Sequence, residues 1–302
     1  MIDVGAWRRR LGPLGVWTST DRLPVAEARA LVAEVEGLGF GAVWLPETTG
    51  RDPFAHIAHL ADHTTDLVLA TGIANIHHRH PGAMRQAADT LAEQSGGRFV
   101  LGLGVSHAAM VEGVRGLSYG SPLATMRAYL DGIEEAPRTA PAPAVAAPRL
   151  VGALGPKMIA LAGERADGVH PYWTTPEHTA RARAILGPDK LLCVEQKVVL
   201  TTDAVAARAT ARKALGHYVR LPSYRSSWLR LGFDEGEVDG LADPFVDGLV
   251  AWGDADAVRA RIDAHLEAGA DHVCIQPMTP DHPLRLDGDA LRALAPAPLP
   301  AR

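Results

Sequence analysis

Apolar positions along this chain alternate between two spacings. In the stretch Val25–Gly37, residues Val25, Ala28, Leu31, Val32 and Val35 recur every three or four positions, which predicts one apolar face of a helix. That helix runs through "GLGFG" into the short apolar run "AVWLPE". The same join recurs in "AADTLAEQSGGRFVLGLGVS", where Ser95-Gly96-Gly97 closes the helix, and again in "MIALAGERADGVHPY" and "VRARIDAHLEAGADHVCIQP". Each helix ends in glycine, which tolerates a left-handed cap. The runs that follow are apolar without clean alternation, as expected of strands buried on both faces of a parallel sheet. Helices alternating with such strands predict repeated βα units.

Eight strands can be placed, near Gly15–Ser19, Ala42–Glu47, Leu67–Ile73, Phe99–Ser106, Leu150–Leu154, Gly168–Tyr172, Leu191–Leu200 and His272–Pro277. Eight strands in 302 residues favour an α/β fold of the (β/α)8 TIM-barrel type, which typically takes about 250 residues, over a doubly wound sheet. A single domain spanning 1–302 is expected. Two stretches break the rhythm. Glu134–Leu150 is a Pro/Ala-rich excursion, and Tyr218–Phe245 is an insertion that suits a lid, a contact between copies or a pair of packing helices.

Composition narrows the class. The net charge is −5 and the pI about 6.2, so no broad basic face for nucleic acid is expected. No segment approaches the ~20 apolar residues of a membrane helix, and no long apolar run follows the N-terminal arginines to make a secretory signal. Cys193 and Cys274 sit in apolar runs and read as small buried hydrophobes. The expectation is a cytoplasmic enzyme acting on a small molecule, with no nucleic-acid or membrane partner and a possible homodimer.

In such a barrel the chemistry gathers at the C-terminal strand ends. That rule selects Glu47, the segment "GIANIHHRHP" from Gly72 to Pro81, Gly104 to His107, the turn "GALGPK" from Gly152 to Lys157, and His170 with Tyr172. Trp17, Trp44 and Trp173 are further aromatics for the mouth. The cluster His77, His78, His80 invites a metal reading. A zinc hydrolase barrel, however, needs ligands from several strand ends, including a His-x-His on the first. The first strand here, "GVWTS", has no histidine, and Asp281 lies well beyond the eighth, so no metal is expected. The "GALGPK" turn reads as a phosphate cradle. Its glycines admit close approach, Pro156 suits the first helical position, the helix N-terminus attracts anions and Lys157 adds charge. The other reading is a plain tight turn.

The segment "GIANIHHRHPGAMRQAADTLAEQSGGRFVLGLGVSHA" resembles the signature of the luciferase-like monooxygenase superfamily. Asn75 with "RHP" (Arg79–Pro81) is similar to its F420-dependent branch. The likeness continues through "ALGPKMIALAGERADGVHPYWTTPEHTARARAILGPDKLL", "YVRLPSYRSSWLRLGF" and "LVAWGDADAVRARIDAHLEAGADHVCIQ", so it covers nearly the whole chain. It resembles an actinobacterial subfamily of F420-dependent oxidoreductases. The resemblance implies a barrel whose mouth holds coenzyme F420, with FMN as the alternative, and a non-proline cis peptide at Gly72-Ile73 backing the ring. It further implies ring or ribityl contacts from Asn75, Gly104, Val105, Ser106 and His107, and phosphate contacts from Gly152, Ala153, Leu154, Gly155, Pro156 and Lys157. Hydride transfer to or from an unidentified organic substrate would then be the reaction. Glu47 and His107 are the candidate catalytic acid–base groups, and Trp17, His170 and Tyr172 the substrate-lining residues. An FMN-dependent monooxygenase, or a non-catalytic relative that binds flavin or deazaflavin, is the rival reading.

Overall fold

The computed structural model describes residues 2–279 and 282–296; Asp281 lies outside them. The parallel strands β1 (Leu14–Trp17), β2 (Ala42–Leu45) and β3 (Val68–Thr71) are followed by the two-residue β4 (Ala74–Asn75). Next come β5 (Phe99–Gly104), β6 (Arg149–Val151), β7 (Gly168–Val169) and β8 (Leu191–Leu200). After β9 (Val250–Gly253) and β10 (His272–Thr279) the chain adds β11 (His282–Leu286). The register closes on itself. Val16 pairs with Val43, Val43 with Leu69, and Leu69 with Phe99. Leu103 pairs with Val151, Val151 with Val169, and Val169 with Leu192. Val194 then pairs with Val273, and Val273 with Leu14 of β1. The barrel is therefore eight-stranded and parallel, as expected. Two strands outside it were not anticipated: β9 runs parallel to the far end of β8, and β11 pairs antiparallel with β10.

Helices join the strands: α1 (Val4–Leu11), α2 (Val25–Gly37), α3 (Pro53–Ala61), α4 (Pro81–Gln94), α5 (Pro122–Glu135), α6 (Pro156–Arg165) and α7 (Pro176–Leu186). Then follow α8 (Ala204–Leu215), α9 (Pro222–Leu231), α10 (Glu235–Asp239), α11 (Asp243–Leu249), α12 (Ala255–Glu267) and α13 (Gly288–Ala293). Proline opens α3 to α7 and α9, where its missing N–H has no intrahelical acceptor to lose. Gly96 and Gly97, both left-handed (φ 64° and 78°), turn the chain from α4 into β5.

Buried alternation along β8 separates two compartments. Leu192, Val194 and Val198 join the layer between strands and helices, whereas Leu191 and Cys193 join the barrel interior with Trp44, Val100, Leu150 and Cys274. Trp7 and Leu11 of α1 pack in that interior cluster and cap it from below. Both cysteines are free and buried. The insertion forms a third cluster, in which Trp228, Phe245, Val246 and Leu249 pack with Trp173, Val199 and Leu215. The Pro/Ala-rich excursion carries no regular structure between α5 and β6. Among the described residues no helix is long and apolar enough to cross a membrane.

Candidate active site

At the mouth, the third barrel strand is interrupted. The Gly72-Ile73 peptide is cis, and the chain resumes as β4 beside Leu103 and Gly104 of β5. Trp17 Nε1 donates to the Gly72 carbonyl at 2.8 Å. Close packing explains the small residues nearby: a Cβ on Gly104 would lie 2.1 Å from Ile73 Cδ1. Glu47 clasps the bulge from β2. Its N–H donates to the Ile73 carbonyl at 3.2 Å, and its carboxylate accepts from the Asn75 N–H at 2.7 Å. The same carboxylate meets Arg79 at 2.6 Å and His78 Nδ1 at 3.0 Å. Arg79 also pairs with Asp52 at the start of α3, so the barrel mouth is tied to two neighbouring helices.

Above the bulge lies a cavity of about 510 Å³. Its walls come from the ends of six barrel strands and from the insertion. Trp17, Glu47, Ile73, His107, His170 and Tyr172 face it from below; Tyr218, Leu221 and Tyr224 face it from above. Glu47 is the only carboxylate among the lining residues, and both of its oxygens already have partners in the clasp. His107 is tilted against Tyr224, with ring centroids 5.5 Å apart. Burial, assisted by the nearby His217, lowers its pKa to about 4, so it is neutral at neutral pH.

Beneath Tyr172 sits a buried polar group. Lys197 Nζ donates to Glu195 Oε1 at 2.9 Å and to Gln276 Oε1 at 2.8 Å. It also lies 3.7 Å from the Tyr172 ring centroid and 3.9 Å from that of Trp173. Tyr172 commits its hydroxyl hydrogen to the same Gln276 oxygen at 3.0 Å. Burial lowers the Lys197 pKa to about 8, against the pull of Glu195, and raises that of Glu195. The cation fixes the Tyr172 ring, which faces the cavity, and the Trp173 ring behind it.

One end of the cavity suits an anion. Gly152, Ala153, Leu154 and Gly155 line it, and Gly155 caps α6 without any side-chain hydrogen bond. The first-turn N–H groups thus have no side-chain acceptor. Arg230 of α9 reaches the same wall; a Cβ on Gly155 would lie 3.6 Å from its Nη2. No ion pair engages its guanidinium among the described residues.

Most of the anticipated residues meet at this cavity: Trp17, Glu47, Gly72, Ile73, Gly104 to His107, Gly152 to Gly155, His170 and Tyr172. Several lie elsewhere. Asn75 is buried behind the wall, where its side-chain oxygen accepts from the His77 N–H at 2.9 Å. Pro156 and Lys157 are exposed on the first turn of α6, outside the cavity wall, because the helix turns their side chains away from it. Trp44 and Trp173 are fully buried behind the lining. Of the clustered histidines, His80 caps α4 by accepting from the Gly82 N–H, and His78 joins the Glu47 clasp. His77 packs against Tyr119. Among the described residues no three His, Cys, Asp or Glu side chains gather as a metal-binding group. Sequence reasoning did not single out Arg230, Glu195 or Lys197. Only the charged pair inside the otherwise apolar run "LLCVEQKVVL" could have flagged the last two.

The chain is 29% identical to the "Putative coenzyme F420-dependent oxidoreductase" of Mycobacterium tuberculosis, over 85% of this chain and 91% of that one. It is 32% identical to the 5,10-methylenetetrahydromethanopterin reductase of Methanolobus tindarius, over 83% and 90%. An F420-dependent secondary alcohol dehydrogenase in complex with an F420-acetone adduct shares the fold at a TM-score of 0.73 and 18% identity, covering 93% of this chain and 98% of that one. Residues 11–272 match the luciferase-like monooxygenase family, and the chain belongs to it.

Proposed function

We propose that this protein is an F420-dependent oxidoreductase that transfers a hydride between coenzyme F420 and a small organic substrate. The observation that carries the reading is the joining, in one cavity, of an apolar slot backed by Ile73 with an uncapped helix start faced by Arg230. A flat ring with a phosphate-bearing tail fits that combination of surfaces. The names of the two sequence relatives support F420 over FMN. When bound, F420 supplies a ring carbon that accepts or donates a hydride.

The chain's own residues would do the rest. Ile73 and Trp17 set one wall of the slot, and the Glu47 clasp holds that wall in place. Gly155 and Arg230 would take the tail phosphate through N–H groups and charge. Tyr218, Leu221 and Tyr224, on the upper cavity wall, would shield a bound ring from water. His107, neutral and facing the cavity, is the group we assign to hold or move the substrate proton. Glu47 serves position rather than proton transfer, since its carboxylate is already occupied.

The test is anaerobic turnover. F420 is mixed with the protein and a panel of small alcohols, reduced F420 with activated alkenes, and the deazaflavin absorbance is followed. Protein-dependent loss or recovery of that absorbance is expected with at least one compound. Inert F420, together with oxygen-dependent conversion of any of them by reduced FMN, would assign the site to the monooxygenase reading.

A further inference from the structure

Apart from histidines, three charged side chains line the barrel-mouth cavity: Glu47, Arg115 and Arg230. The carboxylate of Glu47 is already matched by the guanidinium of Arg79. The other two have no carboxylate partner among the described residues. The cavity therefore carries two unbalanced positive charges, although the chain as a whole is acidic, with a net charge of −5.

One anionic group cannot balance both. Arg115 Nη2 donates to the Thr48 carbonyl at 2.6 Å, just past β2. Arg230 Nη2 lies beside Gly155, just past β6, where a Cβ would be 3.6 Å away. These are the second and fifth strands of the eight-strand ring, so the two guanidiniums are held on different sides of the mouth. The Gly155 side also offers an uncapped helix start, which gives it the stronger claim on a cofactor phosphate. At Arg115 the Thr48 contact uses one nitrogen. Its Nε and Nη1 have no protein partner among the described residues, and a planar guanidinium with spare donors matches a carboxylate.

The surroundings of Arg115 describe what would carry that carboxylate. Arg115 closes a single π-helical turn, Ala109–Val114, and such turns are frequent at functional sites. Met110, Tyr119 and Pro122 of the same connection line the cavity with it. The Tyr119 hydroxyl already donates to the Ser106 carbonyl at 2.9 Å. We propose that Arg115 binds the carboxylate of the substrate, which makes the substrate class an organic acid with an apolar body. The inference rests on the functional reading only in that a cofactor phosphate occupies the Gly155 side, and it holds for F420 and FMN alike.

Calorimetric titration of the cofactor-saturated protein tests it. The protein is saturated with F420 at neutral pH and titrated with matched pairs: benzoate and benzamide, trans-cinnamate and trans-cinnamamide, hexanoate and hexanamide. At least one carboxylate is expected to bind tenfold more tightly than its amide. R115M should abolish that preference while binding F420 as the unaltered protein does. R115K, which keeps the charge without the fork, should retain part of it. Absence of a carboxylate preference in every pair overturns the proposal while leaving F420 binding intact, and so does a preference that survives R115M. An R115M protein of unchanged melting temperature that binds F420 tenfold more weakly assigns Arg115 to the cofactor and likewise overturns it. If FMN saturates the protein and F420 does not, the same pairs are run on the FMN complex; a preference there supports this inference and sinks the deazaflavin reading. Failure of both cofactors to bind removes both.

Discussion

At the scale of single residues, Glu47 shows how a strand-end carboxylate can look catalytic and serve position. Its N–H and carboxylate grip both sides of the Gly72-Ile73 bulge, and Arg79 neutralises it. Replacing it as E47Q removes the charge from a buried pair and leaves Arg79 short of a partner. We expect a loss of about 1–3 kcal/mol of stability by urea unfolding, with F420 affinity falling about tenfold, or roughly 1.4 kcal/mol. Unchanged affinity in a stable E47Q protein would separate the clasp from the cofactor seat. R230M should weaken F420 by a similar factor without lowering stability, because its guanidinium has no ion pair among the described residues. The residues that sequence reasoning identified were those close to a strand end. Arg230 escaped because it comes from an inserted helix some 75 positions beyond Gly155, and no local pattern links the two.

At the scale of elements, the eight barrel strands were legible because each is a short apolar run, and several follow a helix that closes in glycine. The bounds of β8 match the expectation, Leu191–Leu200, whereas the fifth barrel strand is shorter, Arg149–Val151 against Leu150–Leu154. Runs that feed the cavity leave regular pairing early, so apolar residues such as Ala153 and Leu154 were read as strand. The insertion was legible as a departure from the repeat, but its role was not. It turns out to be both a packing layer and the upper cavity wall, because α9 has two faces. Trp228 is fully buried, donates its indole N–H to the Trp173 carbonyl at 3.0 Å, and stacks edge-on with Phe245. Tyr224 and Arg230 line the cavity instead. W228A should cost about 3–5 kcal/mol in urea unfolding, the range for a buried aromatic reduced to alanine. A loss under 1 kcal/mol would show that the lid packs independently of this anchor.

At the scale of the whole molecule, the barrel buries several histidines in neutral form. Burial lowers His107, His170 and His272 to about 4 and His265 to about 3, from an ordinary value of 6.5. Between these values the unfolded chain binds protons that the folded chain refuses, so stability present above pH 6.5 is lost as the pH falls toward 4. The melting temperature should therefore drop steeply across that window. A flat profile would mean that these rings are hydrated or already charged. The central claim concerns the cavity that this packing frames, and equilibrium titration of the apo-protein with F420 and with FMN, read by fluorescence quenching, tests it most directly. Saturable F420 binding at micromolar concentration or below, with none for FMN in the same range, is the predicted result. FMN binding without F420 binding would contradict it.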